Sequence, residues 1–236
     1  MDIRNSMLTS VDRDSTKMTP FLDLLEPLPI KCRYYGVDVN KKAVDEKVMK
    51  FNEKYTKVEC SGVHATFEDG IAMAATQAGK KVIISLGSTV TNFDPTQALE
   101  NLRKLCRGDN LVILGQQGPD AVTGRHGDKV HRDAYHTERF EKFIWQGMLG
   151  TGNEVLRKKV FTEKEWEIKC EILHRPWRHQ FVFHYKGEER FRGFVSFKYH
   201  EHEIISMIKE TGAPSPEIYR HRETAMRIYA VDCLGN

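Results

Sequence analysis

Cysteine is sparse and badly placed for cross-linking. The five residues Cys32, Cys60, Cys106, Cys170 and Cys233 are odd in number, widely spread and never in CxxC spacing. That pattern excludes a disulfide framework and a structural zinc site, and leads to reduced thiols in a cytoplasmic protein as the expectation. Long apolar runs are missing as well: nothing approaches the roughly 18–20 residues of a spanning helix, so no membrane partner is expected. The opening MDIRNSMLTSVDRDSTK is polar and contains acids, without the apolar stretch of a secretory leader. There is no excess charge of either sign, since 36 Lys+Arg stand against 33 Asp+Glu, and a net +3 gives no nucleic-acid footprint. HExxH, the Walker loop and GxSxG are all absent. His174, His179, His184, His200 and His202 fit no ligand spacing, so no metal is expected.

What is present is enough for a sizeable core. Of 236 residues, 40% are hydrophobic and 29% charged, with a mean hydropathy of -0.52. In the first half, strands alternate with helices. Arg33 to Asp38 reads as a buried strand ending in an acid, and Val44, Val48, Phe51 and Tyr55 follow at helical spacing. Val58 to Val63 is the next strand, Glu68 to Gly79 a helix. Lys81 to Leu86 (KVIISL) and Asn110 to Gly115 (NLVILG) are continuous apolar strands flanking a helix that starts at Pro95. This alternation predicts a parallel sheet with helices on its faces.

The pattern then changes. Gln116 to Gly127 is a Gly-rich loop, and a helix carries Phe140, Phe143, Ile144 and Met148 on one side. Phe161 to Tyr199 alternates as antiparallel strands, the last of which puts Phe194, Ser196 and Lys198 on one face. The end returns to helix (Ile204, Ile205, Ile208), a stop at Thr211-Gly212, and a strand over Thr224 to Val231. The expected fold is α/β: a doubly wound, Rossmann-like sheet over 1–118, an inserted α+β lobe over 119–199, and a closing helix and strand over 200–236. Asp38, at the tip of a strand, stands where such a sheet places an acid on a ribose hydroxyl pair; the other reading is a helix N-cap leading into Asn40-Lys41-Lys42.

Tyr34 to Asn40 (YYGVDVN), Ala65 to Ala72 (ATFEDGIA) and Leu86 to Phe93 (LGSTVTNF) resemble successive motifs of the family containing the histidine-specific and dimethylallyltryptophan N-methyltransferases. These are S-adenosylmethionine-dependent enzymes with the class I methyltransferase sheet. The segments around Asp133-Ala134-Tyr135, Gly147 to Asn153 and the run ending at Tyr199 look like the substrate lobe of the same family. The resemblance implies a ribose contact at Asp38, adenine contacts at Thr66 and Phe67, and a cofactor border at Gly87 and Ser88. It implies substrate contacts at Asn92, Tyr135 and Ser196.

The departures from that family are specific. Its first strand ends in a Gly-x-Gly turn, which lets the backbone approach the cofactor. Setting Asp14-Ser15-Thr16-Lys17 against the residues after that turn puts Val11-Asp12-Arg13 where the glycines belong. Little chain precedes the turn, so the helical segment that the family folds over its substrate is expected to be missing. The family's carboxylate two residues before the late serine is Phe194 here. The expectation is therefore a degenerate cofactor site with no cofactor used, and a cyclisation or Michael-type bond formation on a small-molecule intermediate of fungal secondary metabolism. In that chemistry His136 is the base, with Tyr135, Asn92 and Ser196 donating to a developing enolate. Phe194, Asn153 and Lys198 are the candidate substrate-binding residues; the plainer reading of His136 is a surface histidine, and that of Lys198 a surface lysine. Two other functions remain open. One is N-methylation of an amino-acid-derived or alkaloid substrate with S-adenosylmethionine as cofactor; the other is a non-catalytic partner of a methyltransferase paralogue. A homodimer that closes the lobe is the expected assembly.

Overall fold

In the computed structural model, the described residues are 5–10 (as backbone), 17–77, 79–119, 135 and 137–233. They fall into two units: residues 1–117 with 201–221 and 226–236, and residues 118–200 with 222–225.

The larger unit is built on β1 (Asn5–Ser10), α1 (Thr19–Leu25), β2 (Cys32–Asp38), α2 (Lys41–Lys54), β3 (Val58–His64), α3 (Phe67–Thr76), β4 (Lys81–Ser85), α4 (Pro95–Leu105) and β5 (Asn110–Gln117). The strand order is β3-β2-β1-β4-β5, all parallel. The sheet continues through β10 (Met226–Asp232), antiparallel to β5, to an edge strand β9 (Glu217–Arg220). Strand β1 lies between β2 and β4, so the chain order reverses there. In an open parallel sheet the crevice at such a reversal, beyond the carboxyl ends of the strands, is where ligands sit. NSMLTS carries no alternation strong enough to announce a strand; pairing on both sides makes it one. The short β9, next to Pro214 and Pro216, likewise has too little pattern to be foreseen.

Local chemistry sets the helix starts. Asn40 caps α2 by accepting from Ala43 N at 3.0 Å, Thr66 caps α3 through Asp69 N, and Asp94 caps α4 through Thr96 N and Gln97 N with Pro95 in the first turn. On one side of the sheet Met18, Leu22, Tyr34, Phe51, Tyr55, Val58 and Ile84 form one buried cluster, in which Tyr34 meets Phe51 edge-on at 5.4 Å. Helix α4 packs against the late helix Glu201–Glu210.

Glu26, just past α1, ties that helix to the entry of β3. Its carboxylate accepts from the N–H groups of Thr56, Lys57 and Val58 and from the Thr56 hydroxyl. The Thr56 N–H bond, first among these, pulls its pKa down to about 2. Because the folded value lies below the unfolded one, the carboxylate contributes stability above about pH 4.5 and loses it as pH falls toward 2. Glu26→Gln is therefore expected to lower the melting temperature at pH 7, with the gap to the wild type closing as the pH is taken from 4.5 to 2. A constant gap across that window would contradict this role.

The smaller unit carries three antiparallel strands in the order β6 (Trp166–His174), β7 (Trp177–Tyr185) and β8 (Glu188–Phe197). The helical segment before them has three parts: α5 (Glu138–Lys142), a π-helical turn over Phe143–Leu149, and α6 (Gly150–Leu156). In a π-helix the i→i+5 bonds bring residues five apart to one side. Ile144 and Leu149 are thus both buried against Phe181 and Phe183, whereas Phe143, expected on the buried side, is 42% exposed. The α-helical spacing is corrected by that wider turn.

Candidate active site

At the carboxyl edge of the large sheet, Asp38 ends β2 half-buried. One carboxylate oxygen accepts from Asn40 N at 2.8 Å. The N-cap of α2 is Asn40 rather than Asp38, so the capping alternative for Asp38 does not hold. Thr66 and Phe67 follow β3; the Thr66 hydroxyl both accepts from Asp69 N and donates to Asp69 Oδ2. After β4 the chain turns through Gly87 (φ +94°) and Ser88 (φ +67°). Ser88 N–H donates to Gly115 O at 2.8 Å, and its Oγ accepts from Gln117 N at 3.2 Å. These bonds hold a non-glycine residue in left-handed backbone, a conformation kept where the surroundings over-determine it. Ser88 is only 7% exposed, whereas Gly87 is open to solvent. Asn92 lies half-buried in the turn that follows.

Lys17 is the residue that sequence reasoning missed here. Its Nζ lies 3.8 Å from where a Cβ on Gly87 would stand, and burial lowers its pKa. A cation partly stripped of water gains from a ligand anion. The sequence signal was only a lysine soon after the first strand.

In the small unit, Tyr135 OH donates to Ser196 Oγ at 3.0 Å. Its ring packs at 4.4 Å from His179 and 5.5 Å from Phe181. Ser196 and His179 are cross-strand partners. Lys198 shares the Ser196 face and sets its ammonium 5.6 Å from the Tyr135 ring centroid. Lys198 is 3% exposed, which corrects the expectation of a surface lysine. Phe194 packs against Phe181, ring centroids 5.5 Å apart.

Asn153 holds the chain that enters β6: its Nδ2 donates to Phe161 O at 2.9 Å, while its Oδ1 accepts from Val160 N and Phe161 N at 2.7 and 2.8 Å. His136, Asp133-Ala134 and the Val11-Asp12-Arg13 turn lie outside the described residues. Among the described residues no group of His, Cys, Asp or Glu could hold a metal ion, and no helix is long and apolar enough to cross a membrane.

The sheet order, with β10 reversed beside β5, is that of class I methyltransferases. A sequence model of the histidine-specific, S-adenosylmethionine-dependent methyltransferases matches residues 10–190. The chain belongs to this family. It is 24% identical over 193 residues to the N-methyltransferase fsqC of Aspergillus fumigatus, covering 78% of this chain and 50% of that protein. The chain thus spans about half the length of the curated relative that it matches. Among solved structures, a possible exported protein of Bordetella parapertussis superposes with a TM-score of 0.54 at 9% identity, over 98% of this chain and 62% of that one. The CurJ carbon methyltransferase gives 0.51 at 11% identity, over 99% and 50%. At these identities the structures support the fold alone.

For a member of this family, the large-sheet edge fits the cofactor. A half-buried carboxylate at the end of β2 suits a ribose diol, and among the described residues, chain neighbours aside, the Lys17 ammonium is the atom nearest to where a Cβ on Gly87 would stand.

Proposed function

We propose that this chain is an S-adenosylmethionine-dependent N-methyltransferase acting on a small molecule. The observation that carries the reading is the Lys17 ammonium beside Gly87, at the sheet edge that also presents Asp38. When bound, the cofactor supplies an electrophilic methyl group. Asp38 would hold its ribose hydroxyls, Thr66 and Phe67 its adenine, and Lys17 the carboxylate of its amino-acid tail. That ammonium offers a charge contact even where Val11-Asp12-Arg13 replaces the family's glycine turn. Nitrogen as the acceptor atom is supported by family membership and by the name of the Aspergillus relative.

The small unit would orient the acceptor. A nitrogen must present its lone pair, so the acceptor has to be uncharged when it reacts. Phe194 favours that state by withholding water and a counter-charge from an ammonium, and the Tyr135–Ser196 hydroxyl pair can hold the acceptor by hydrogen bonds. Incubating the chain with methyl-labelled S-adenosylmethionine and a panel of imidazoles, arylamines and amino acids is expected to move label onto nitrogen in at least one of them. Conversion of an unsaturated acceptor with no label transferred would overturn the assignment.

That outcome is the second reading, a cofactor-independent bond formation. Its support is the Val11-Asp12-Arg13 sequence, set against the family's glycine turn. In it Tyr135 and Ser196 would donate to a developing enolate.

A further inference from the structure

Strand β9 is an edge of the large sheet, and among the described residues no strand pairs with its outer side. Its inner side is fixed by β10. Tyr219 stands opposite Ile228 and Glu217 opposite Ala230, and in the same register His221 N donates to Met226 O at 3.0 Å. In an antiparallel ladder, pairs that exchange hydrogen bonds alternate with pairs that do not. Glu217, Tyr219 and His221 therefore bond to β10, while Ile218 and Arg220 turn their N–H and C=O groups outward. Such a row of open backbone groups is a template for a further strand.

The strand is complementary to itself. Opposed residues of an antiparallel pair point to the same face, so two copies about a two-fold axis must oppose odd positions to odd and even to even. With Tyr219 opposite Tyr219 of the second copy, Ile218 lies opposite Arg220, and every outward group of both residues finds a partner. Centring the pair on Ile218 would instead oppose Arg220 to Pro216, which has no N–H to give. The favoured register also sets Glu217, at the start of the strand, against His221, just past its end. That opposes an acid to a base on both sides of the axis. Tyr219 and Ile228, cross-strand partners, are both exposed, and pairing extends them into one apolar row across the axis. The opposite edge of the sheet, β3, does not offer this. Asn52 Nδ2 there donates to Cys60 O at 3.2 Å, and the adjoining groove carries Asp45 and Glu53, which two copies would bring together as like charges.

We propose that two copies of this chain associate through the outer edges of β9, antiparallel and with Tyr219 on the two-fold axis, joining their large sheets into one. A strand of 4 residues makes a small contact, so the dimer is a weak, concentration-dependent one. The association requires neither cofactor nor acceptor, and its test stands apart from that of the reading above.

Sedimentation velocity of the full chain, from micromolar to submillimolar concentration, is expected to shift from the 27.3 kDa monomer toward twice that mass. Ile218→Pro removes only an outward N–H, at an edge position where proline is tolerated, and should weaken association roughly tenfold or more. Ile218→Val keeps that N–H and should associate like the wild type. Tyr219→Cys places two thiols at a pair whose Cα atoms stand about 4.5 Å apart, within reach of a disulfide. Diamide should therefore cross-link Tyr219→Cys into a covalent dimer, and Ile218→Cys no more than the wild type. The proposal is overturned by a chain that stays monomeric throughout, by Ile218→Pro associating like the wild type, or by Ile218→Val as weak as Ile218→Pro. Cross-linking of Ile218→Cys in place of Tyr219→Cys overturns it too. Should Ile218→Pro fail to fold, the two cysteine variants still decide.

Discussion

Asp38→Ala is expected to lower the affinity for S-adenosylhomocysteine roughly 10- to 100-fold. Asp38 ends β2 at the carboxyl edge of the sheet, and one of its oxygens already accepts from Asn40 N. A ribose diol would donate to the other. Hydrogen bonds to a charged acceptor contribute about 1.5–3 kcal/mol, and each 1.4 kcal/mol is tenfold in affinity. Asp38→Asn keeps a carbonyl acceptor but loses the charge, so its affinity should fall between wild type and alanine. Because Asn40 rather than Asp38 caps α2, the variant should keep its helix and melt within a few degrees of the wild type. Equal affinity in Asp38→Ala and wild type, with binding intact, would remove the ribose assignment.

The largest expected stability effect lies in the small unit, at Phe183. Its side chain is 0% exposed and stacks on Phe191 with centroids 4.6 Å apart. Phe183→Ala is expected to cost about 3–5 kcal/mol, the range for emptying a buried phenylalanine site. Gly193 explains how the ring fits. A Cβ there would stand 2.3 Å from Phe183 Cε2, so Gly193→Ala overpacks the site and should cost about 1–3 kcal/mol by itself. Combined, the two changes should cost less than their sum, because the absent ring leaves room for the added methyl. Urea denaturation of the two single variants and the double variant checks this. Strict additivity would mean that the Cβ–ring clash is relieved by a backbone shift instead.

Much of the large unit was legible because its signals are local. KVIISL and NLVILG are apolar runs that only a strand covered on both faces can use, and they are β4 and β5. Caps at Thr66 and Asp94 stand immediately before their helices. Other features depend on partners far along the chain. Lys198 reads as a snorkelling lysine until Tyr135 is placed beside its ammonium, and that ring belongs to a residue 61 positions before Ser196. Asn153 sits in a family motif, yet its amide closes on Val160 and Phe161 only because α6 and β6 are held together. The Phe143–Leu149 π turn escaped because an apolar stripe read at α-helical period puts Phe143 inside. Lys17 escaped because no pattern in sequence says which lysine ends beside a turn more than 60 residues later.

The large-sheet edge is proposed to accept the cofactor. Calorimetric titration of the full chain with S-adenosylhomocysteine tests this most directly. A single site with micromolar affinity, weakened by Lys17→Met as well as by Asp38→Ala, is the predicted result. No heat of binding up to millimolar ligand, from a chain with an intact melting transition, would contradict it.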